Sequence, residues 1–309
     1  MMEIKAGVAV IGAGPCGVAA AVQLQRNRIP LILFEMRDVG GLLYNAHSVE
    51  NYPGIRKGLP GPVFCRLLAR HLDMAGVVVA AETITAVQAH NRGYLLQSES
   101  GNSYTADAVI LATGTRPNQI DLPWKTLVCE QRLFYEVRDL PPVLKGEHVA
   151  ILGAGDAAYD YALNLADRGC VVSVLQRDAA RCLPLLRDRV KARERILLHE
   201  KVRITACADH GSSLEIDFES MSGEQNLRVD RLVIACGRSP EDRLLQSIVR
   251  HEQGEGKLAG PDSLAGRGIF AGGDLTRGLC RQAGIAVGDG LVAAMYAVRY
   301  VNSMKQETV

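Results

Sequence analysis

The 309-residue chain has no Cys-x-x-Cys pair: its eight cysteines, at 16, 65, 129, 170, 182, 207, 236 and 280, come no closer together than positions 170 and 182. Such spacing suits neither a zinc knuckle nor a vicinal dithiol, so most are expected to be reduced, buried small hydrophobes. The seven histidines, at 47, 71, 90, 148, 199, 210 and 251, show no paired ligand spacing, and no metal is expected. Charge of one sign is missing too. With 35 basic against 34 acidic residues, no whole-molecule field favours nucleic acid or an anionic membrane surface. No uninterrupted apolar run reaches membrane-spanning length, and residues 1–7 carry no basic stretch leading into an apolar core; a cytoplasmic protein with no membrane partner is predicted. What remains, 48% hydrophobic and 22% charged side chains with 31 glycines, predicts a globular chain of about two domains.

A glycine-rich stretch occurs twice. VAVIGAGPCG at residues 8–17 returns as VAILGAGDAA at 149–158. In both copies the strand after the turn ends 23 residues beyond the first glycine, at Glu35 and at Gln176. In the first copy an apolar strand leads into Gly12, Ala13, Gly14, Pro15, Cys16 and Gly17, and a breaker-free helical stretch follows to Arg26. One glycine permits the tight turn, one lets backbone approach a pyrophosphate, and one lets helix and strand pack closely; the helix N-terminus offers free N–H groups to phosphate. Glu35 can accept both ribose hydroxyl protons. The second copy has Gly153, Ala154, Gly155, Asp156, Ala157 and Ala158, then Gln176 where the first has its acid, with Arg177 beside it and Arg181 one helical turn on. An acid there repels a 2′-phosphate, whereas guanidinium groups bind one through forked hydrogen bonds. The first site therefore predicts a dinucleotide with a free adenosine ribose and the second NADPH, with NADH second; plain solvated arginines are the alternative.

The repeat closes twice as well, with an apolar strand, a small-residue turn and a proline at residues 109–117 (Thr113, Gly114) and 232–240 (Gly237). Between turn and closing strand each copy carries short alternating strands, expected of an antiparallel meander. Two further segments are rich in glycine: Gly40 and Gly41, followed by Val49, Glu50, Asn51, Tyr52, Pro53 and Gly54, and Gly272, Gly273 and Asp274, followed by Cys280, Arg281, Gln282 and Ala283. With both turns in this order, the whole chain resembles the low-molecular-weight thioredoxin reductase family of two-dinucleotide flavoproteins. The resemblance implies an α/β fold of two Rossmann-like three-layer ββα domains, with an NADPH domain (118–243) inserted into a discontinuous FAD domain (1–117 and 244–309). It also implies a homodimer, rotation about links near 114–122 and 237–244, and an FAD role for Gly41, Asn51, Thr113, Gly114, Gly273, Asp274, Arg281, Gln282 and Ala283. NADPH held by the second unit is expected to deliver hydride to flavin N5 held by the first.

One departure is decisive for the acceptor. The family's redox Cys-x-x-Cys falls here on Glu136 and Asp139, and a carboxylate neither forms a disulfide nor attacks one. In that respect the chain is similar to the thioredoxin-reductase-like ferredoxin–NADP reductases, although it stops soon after its last helix and lacks their C-terminal extension. The favoured expectation is delivery from flavin to a ferredoxin- or flavodoxin-like protein or another small acceptor. A second expectation rests on Cys16, at a helix N-terminus where the dipole favours thiolate, in a setting that resembles the bacillithiol disulfide reductases; the thiol would then reduce a low-molecular-weight disulfide. A third is a non-catalytic flavin-binding redox sensor. His47, in the flavin-proximal loop, is a further catalytic candidate as proton or hydrogen-bond donor, and Tyr44 and Tyr52 are candidates for stacking on the flavin.

Overall fold

The computed structural model describes residues 4–55, 58–119, 130–142, 145–252 and 265–306. The chain divides into two compact units, one of Met1–Tyr44, Val49–Arg116 and Pro240–Val309, the other of Asn45–Ser48 and Pro117–Ser239. The part of the first expected hinge at 120–122 lies outside the described residues.

The first unit opens with β1 (Ile4–Ile11), α1 (Pro15–Arg26) and β2 (Leu31–Glu35). After α2 (Gly61–Met74) come β3 (Val79–Ala81), β4 (Ile84–His90), β5 (Gly93–Ser98) and β6 (Ser103–Leu111). The strands lie in the order β3-β2-β1-β6-β5-β4. The β3-β2-β1-β6 part is parallel, and β4, β5 and β6 form an antiparallel meander. Alternation along β1 buries both of its faces, Val8 and Val10 on one and Ala9 and Ile11 on the other. Parallel strands covered on both sides read as such continuous apolar runs. Ala9 and Ile11 meet Val87, Tyr94 and Leu96 of the meander in one core cluster.

The second unit repeats the scheme. β7 (Thr115–Pro117) and the short β8 (Leu133–Phe134) precede β9 (His148–Leu152), α3 (Asp156–Asp167), β10 (Val171–Leu175), α4 (Pro184–Lys191) and β11 (Ile196–His199). A separate meander of β12 (Arg203–Asp209), β13 (Leu214–Ser220) and β14 (Gly223–Val229) leads to β15 (Arg231–Ile234) and β16 (Arg238–Pro240), which pairs with β7. The parallel sheet runs β11-β10-β9-β15-β8. Val149 and Ile151 pack under α3, and Ala150 packs on Ile216 and Phe218 of the meander. Period-two alternation thus yields three layers, meander, sheet and helix.

The chain then returns to the first unit through α5 (Arg243–Glu252), which seats Leu245 and Ile248 in the meander core, and β17 (Ile269–Ala271), which pairs parallel with β6. It ends in α6 (Ala283–Gln306). By length and composition α6 is apolar enough to cross a membrane; here it lies along α1, with Ala286, Gly290, Ala293, Ala294, Ala297 and Val301 buried. The small residues let the two backbones approach closely: a Cβ on Gly290 would lie 2.1 Å from the Cys16 carbonyl oxygen.

That contact separates two glycines of the same helix. Gly290→Ala is expected to lower unfolding stability by about 3 kcal/mol, as overpacking does. Gly288, where a Cβ meets nothing within 4 Å, is expected to gain up to about 1 kcal/mol as alanine, from helix propensity alone. Urea midpoints of the two variants check both.

Candidate functional site

Each unit carries one strand–turn–helix cradle, and the two are built by matching backbone bonds. Gly12 N–H donates to the Phe34 carbonyl at 2.8 Å and Gly153 N–H to the Leu175 carbonyl at 3.1 Å, fastening each turn to the second strand. The closing strands follow suit: Ala112 N–H bonds the Ile11 carbonyl at 2.9 Å and Ala235 N–H the Leu152 carbonyl at 2.8 Å. Gly12 and Gly153 have φ of +100° and +156°. A Cβ at either would lie 2.4 or 2.5 Å from the carbonyl oxygen of Ala112 or Ala235, so the crossing admits only glycine. At the third position a Cβ on Gly17 would sit 1.7 Å from the Gly12 carbonyl oxygen, whereas the second cradle tolerates Ala158.

Gly14 and Gly155, by contrast, have nothing within 4 Å of where a Cβ would stand. Both are N-cap residues without a side-chain cap, at the head of α1, which begins with Pro15, and of α3. The first-turn N–H groups are therefore left for an external acceptor, and the open space above the glycine is what a pyrophosphate needs. The fit with a dinucleotide is good at both turns.

The strand ends differ. Glu35 is buried and accepts from Ala13 N–H at 2.7 Å through Oε2 and from Arg37 N–H at 2.9 Å through Oε1. The carboxylate thus braces the turn while its remaining lone pairs stay available to ribose hydroxyls. Gln176 is fully buried, and the Tyr159 hydroxyl donates to its Oε1 at 3.0 Å. Arg177 and Arg181 are exposed; the Arg177 guanidinium reaches Asp178 at 3.2 Å, and Arg181 N–H donates to the Ala154 carbonyl at 2.8 Å. Asp156 does not face a ligand with both carboxylate oxygens, since Oδ1 accepts from Leu183 N–H at 2.8 Å. Ala157 is exposed on the first turn of α3. Gly237, at φ +93°, turns the chain after β15, and its carbonyl accepts from Asn118 N–H at 3.1 Å.

Around the first cradle the structure brings several predicted residues together. Gly41, at φ +56°, brings its loop onto the turn, a Cβ there lying 3.4 Å from Gly14 Cα. Asn51 Nδ2 donates to Gln282 Oε1 at 2.6 Å, just ahead of Ala283, the first residue of α6. Arg281 and Gln282 therefore precede the helix rather than belong to it. Thr113 Oγ1 donates to the Glu241 carbonyl at 2.6 Å, and the Gly114 carbonyl accepts from Glu241 N–H at 2.9 Å. Asp274 sits half-buried in a 3-10 turn after β17, and Gly273 N–H donates to Asp289 Oδ2 at 3.0 Å. Asp289, buried in α6 and paired with Arg277, was not singled out from the sequence; a lone acid inside an apolar helix was the available signal. Tyr52 packs edge-on against Phe64, with ring centroids 5.0 Å apart.

Two sequence expectations are corrected. Cys16 is not a poised thiolate: it is 4% exposed and clusters with Ala112 and Ala286. Burial, then the nearby Asp289 and Asp274 carboxylates, push its thiol up to about 12. Desolvation and like charge outweigh the helix dipole here. His47 does not stand free in the first unit either. Residues Asn45–Ser48 belong to the second, where His47 N–H donates to Asp160 Oδ2 at 2.8 Å and its Nε2 lies 2.8 Å from Asp167 Oδ2.

The same unit holds a buried polar network that sequence reasoning noticed only as a missing dithiol. Glu136 Oε1 pairs with Arg238 Nη1 at 2.7 Å, and Glu136 Oε2 accepts from Asn45 Nδ2 at 3.1 Å. Asn45 Oδ1 accepts from Arg138 N–H at 3.0 Å, and its carbonyl accepts from Asn164 Nδ2 at 3.2 Å. Burial, with Glu136 next in weight, raises the neighbouring Tyr161 hydroxyl well above the usual phenol range.

Comparison with known proteins agrees with this geometry. The family described as pyridine nucleotide-disulphide oxidoreductase matches residues 6–290. The thioredoxin reductase of Coxiella burnetii is 26% identical over 96% of this chain and 97% of its own. Among solved structures, Lactococcus lactis thioredoxin reductase superposes with a TM-score of 0.83 at 23% identity, over 97% of this chain and 100% of that one. A bacillithiol disulfide reductase of Staphylococcus aureus gives 0.73 at 19%, over 95% and 98%. With two dinucleotide cradles and a match along nearly its whole length, the chain belongs to the pyridine nucleotide-disulphide oxidoreductase family, and is an FAD-dependent oxidoreductase that draws its electrons from NAD(P)H.

Proposed function

We propose that this oxidoreductase passes electrons from NADPH through its flavin directly to a ferredoxin- or flavodoxin-like protein or another small acceptor, with no protein dithiol between them. The observation that carries this reading is Glu136. At the position where the resembling reductases hold a redox cysteine, this chain places a buried carboxylate paired with Arg238 and hydrogen-bonded to Asn45. A carboxylate in such a pair neither accepts electrons nor exchanges with a disulfide. No Cys-x-x-Cys occurs elsewhere in the sequence to replace the relay.

When both cofactors are bound, the nicotinamide supplies a hydride and the flavin accepts it. The residues contribute binding and alignment. In the first cradle the turn at Gly12 and Gly14 and the N-terminus of α1 would hold the FAD pyrophosphate, Glu35 the ribose, and Asp274, Asn51 and Gln282 the remainder. In the second, Gly153, Gly155 and the N-terminus of α3 would hold the NADPH pyrophosphate, and Arg177 and Arg181 its 2′-phosphate. The buried Cys16 favours no thiol route. We further propose a homodimer, supported by an exposed apolar face on α6 made by Ile285, Leu291, Val292, Met295 and Tyr296.

Three outcomes check this. Anaerobic NADPH is expected to bleach the flavin absorbance rapidly, and the reduced protein to be reoxidised by ferredoxin or flavodoxin but not by thioredoxin; efficient thioredoxin turnover would overturn the direct route, and a flavin that NADPH leaves oxidised would point to the sensor reading. Cys16→Ala is expected to keep turnover with every acceptor, small disulfides included, within about twofold, and N-ethylmaleimide should label Cys16 far more slowly than the exposed Cys280. Val292→Glu combined with Met295→Glu is expected to convert a dimer to a monomer in sedimentation velocity, by placing charge in the apolar face.

A further inference from the structure

Gln176 occupies in the second cradle the place that Glu35 holds in the first, at the end of the second parallel strand. Its amide is gripped from one side only: Oε1 accepts from the Tyr159 hydroxyl at 3.0 Å, while Nε2, fully buried, has no hydrogen-bond partner among the described residues. A buried donor left in that condition is destabilising unless something else accepts from it. Tyr159 is also fully buried and is raised above its usual range, first by burial. It sits in the first turn of α3, its N–H bonding the Gly155 carbonyl; the equivalent residue of α1 is Val18, whose N–H bonds the Gly14 carbonyl. The hydroxyl is thus peculiar to the second cradle.

An amide can be turned over, exchanging donor for acceptor, and the hydroxyl decides which way it lies. Turned over, Nε2 would donate to the Tyr159 oxygen, and the phenol proton would then need another acceptor; among the described residues the hydroxyl has only Gln176. Donation from tyrosine to Oε1 satisfies the phenol and leaves the N–H groups of Gln176 as the unused function.

We propose that Tyr159 is a positioning residue for coenzyme selection: it fixes Gln176 so that the second cradle presents a donor, where the first presents the Glu35 carboxylate, to the oxygen-rich 2′-phosphate of the adenosine ribose. This rests on the reading of the second cradle as the NADPH site. It also requires the exposed segment at 177–181 to shift when the ligand binds, bringing the buried Nε2 within reach of the phosphate that Arg177 and Arg181 neutralise.

The test uses adenosine 2′,5′-bisphosphate and 5′-AMP, titrated calorimetrically into the FAD-loaded protein. Tyr159→Phe is expected to weaken the bisphosphate about fivefold, within the net worth of one hydrogen bond, and to leave 5′-AMP within about twofold. In turnover the KM for NADPH should rise by a like factor while kcat holds. Gln176→Met, which cannot donate, should show the same selective loss, and the double variant no more than either single one, because the two side chains act as a unit. Equal losses on both fragments would reveal a merely structural role and overturn the proposal, as would no loss at all. Should Tyr159→Phe melt below the assay temperature, the selectivity of Gln176→Met decides. A native protein that binds both fragments alike would instead overturn the NADPH reading of the cradle, and this proposal with it.

Discussion

The structure depends on one steric constraint, met twice: the strand that closes each unit crosses directly over the glycine turn. At Gly12 and Gly153 there is no space for a single methyl group, because the carbonyls of Ala112 and Ala235 occupy it. At Gly14 and Gly155, two residues on, the space is open. The close crossing on one side presses the turn into a conformation only glycine adopts; the openness on the other aims the first N–H groups of α1 and α3 outward. A helix end held open in this way is the setting in which backbone N–H groups bind phosphate, and among the described residues nothing lies within 4 Å of a Cβ at Gly14 or Gly155.

On that shared scaffold the two cradles differ in a few side chains at one strand end. Glu35 is fastened to Ala13 N–H and to Arg37 N–H, so its negative charge is fixed at the rim of the first cradle. In the second the charge is gone, its place taken by an amide, and two arginines stand in solvent beside it. The backbone hydrogen bonds of the two turns correspond almost one for one. The two cradles share their backbone geometry and differ in their electrostatics.

How much of this was legible in the sequence follows from how local each feature is. The turns, the strand-end acid and the closing strands could be read because their causes lie within a few residues, in glycine spacing and apolar alternation. For Cys16 the local setting, a helix N-terminus, argues for a thiolate, whereas the structure packs it against Ala112 and Ala286 and sets the Asp289 charge near it, the last two on a helix more than 260 residues later. His47 and Asn45 were opaque for the same reason: their partners Asp160, Asp167, Glu136 and Asn164 are about 90 to 120 residues away in sequence. Nothing in the sequence of residues 40–54 signals that four of them join the other unit.

Glu136 shows what a missing motif can mean. From the sequence it is an absence, the lack of one cysteine of a pair. In the structure it is a buried acid whose two oxygens are both engaged, by a guanidinium and by an amide that in turn holds the Arg138 backbone. Removing one partner of such a pair costs about 3–5 kcal/mol, so a single Glu136→Cys substitution is expected to lose the Arg238 ion pair and the Asn45 hydrogen bond together. With this position tied up in an ion pair and the Cys16 thiol buried, both residues support the proposal that the acceptor takes its electrons without a protein dithiol in between.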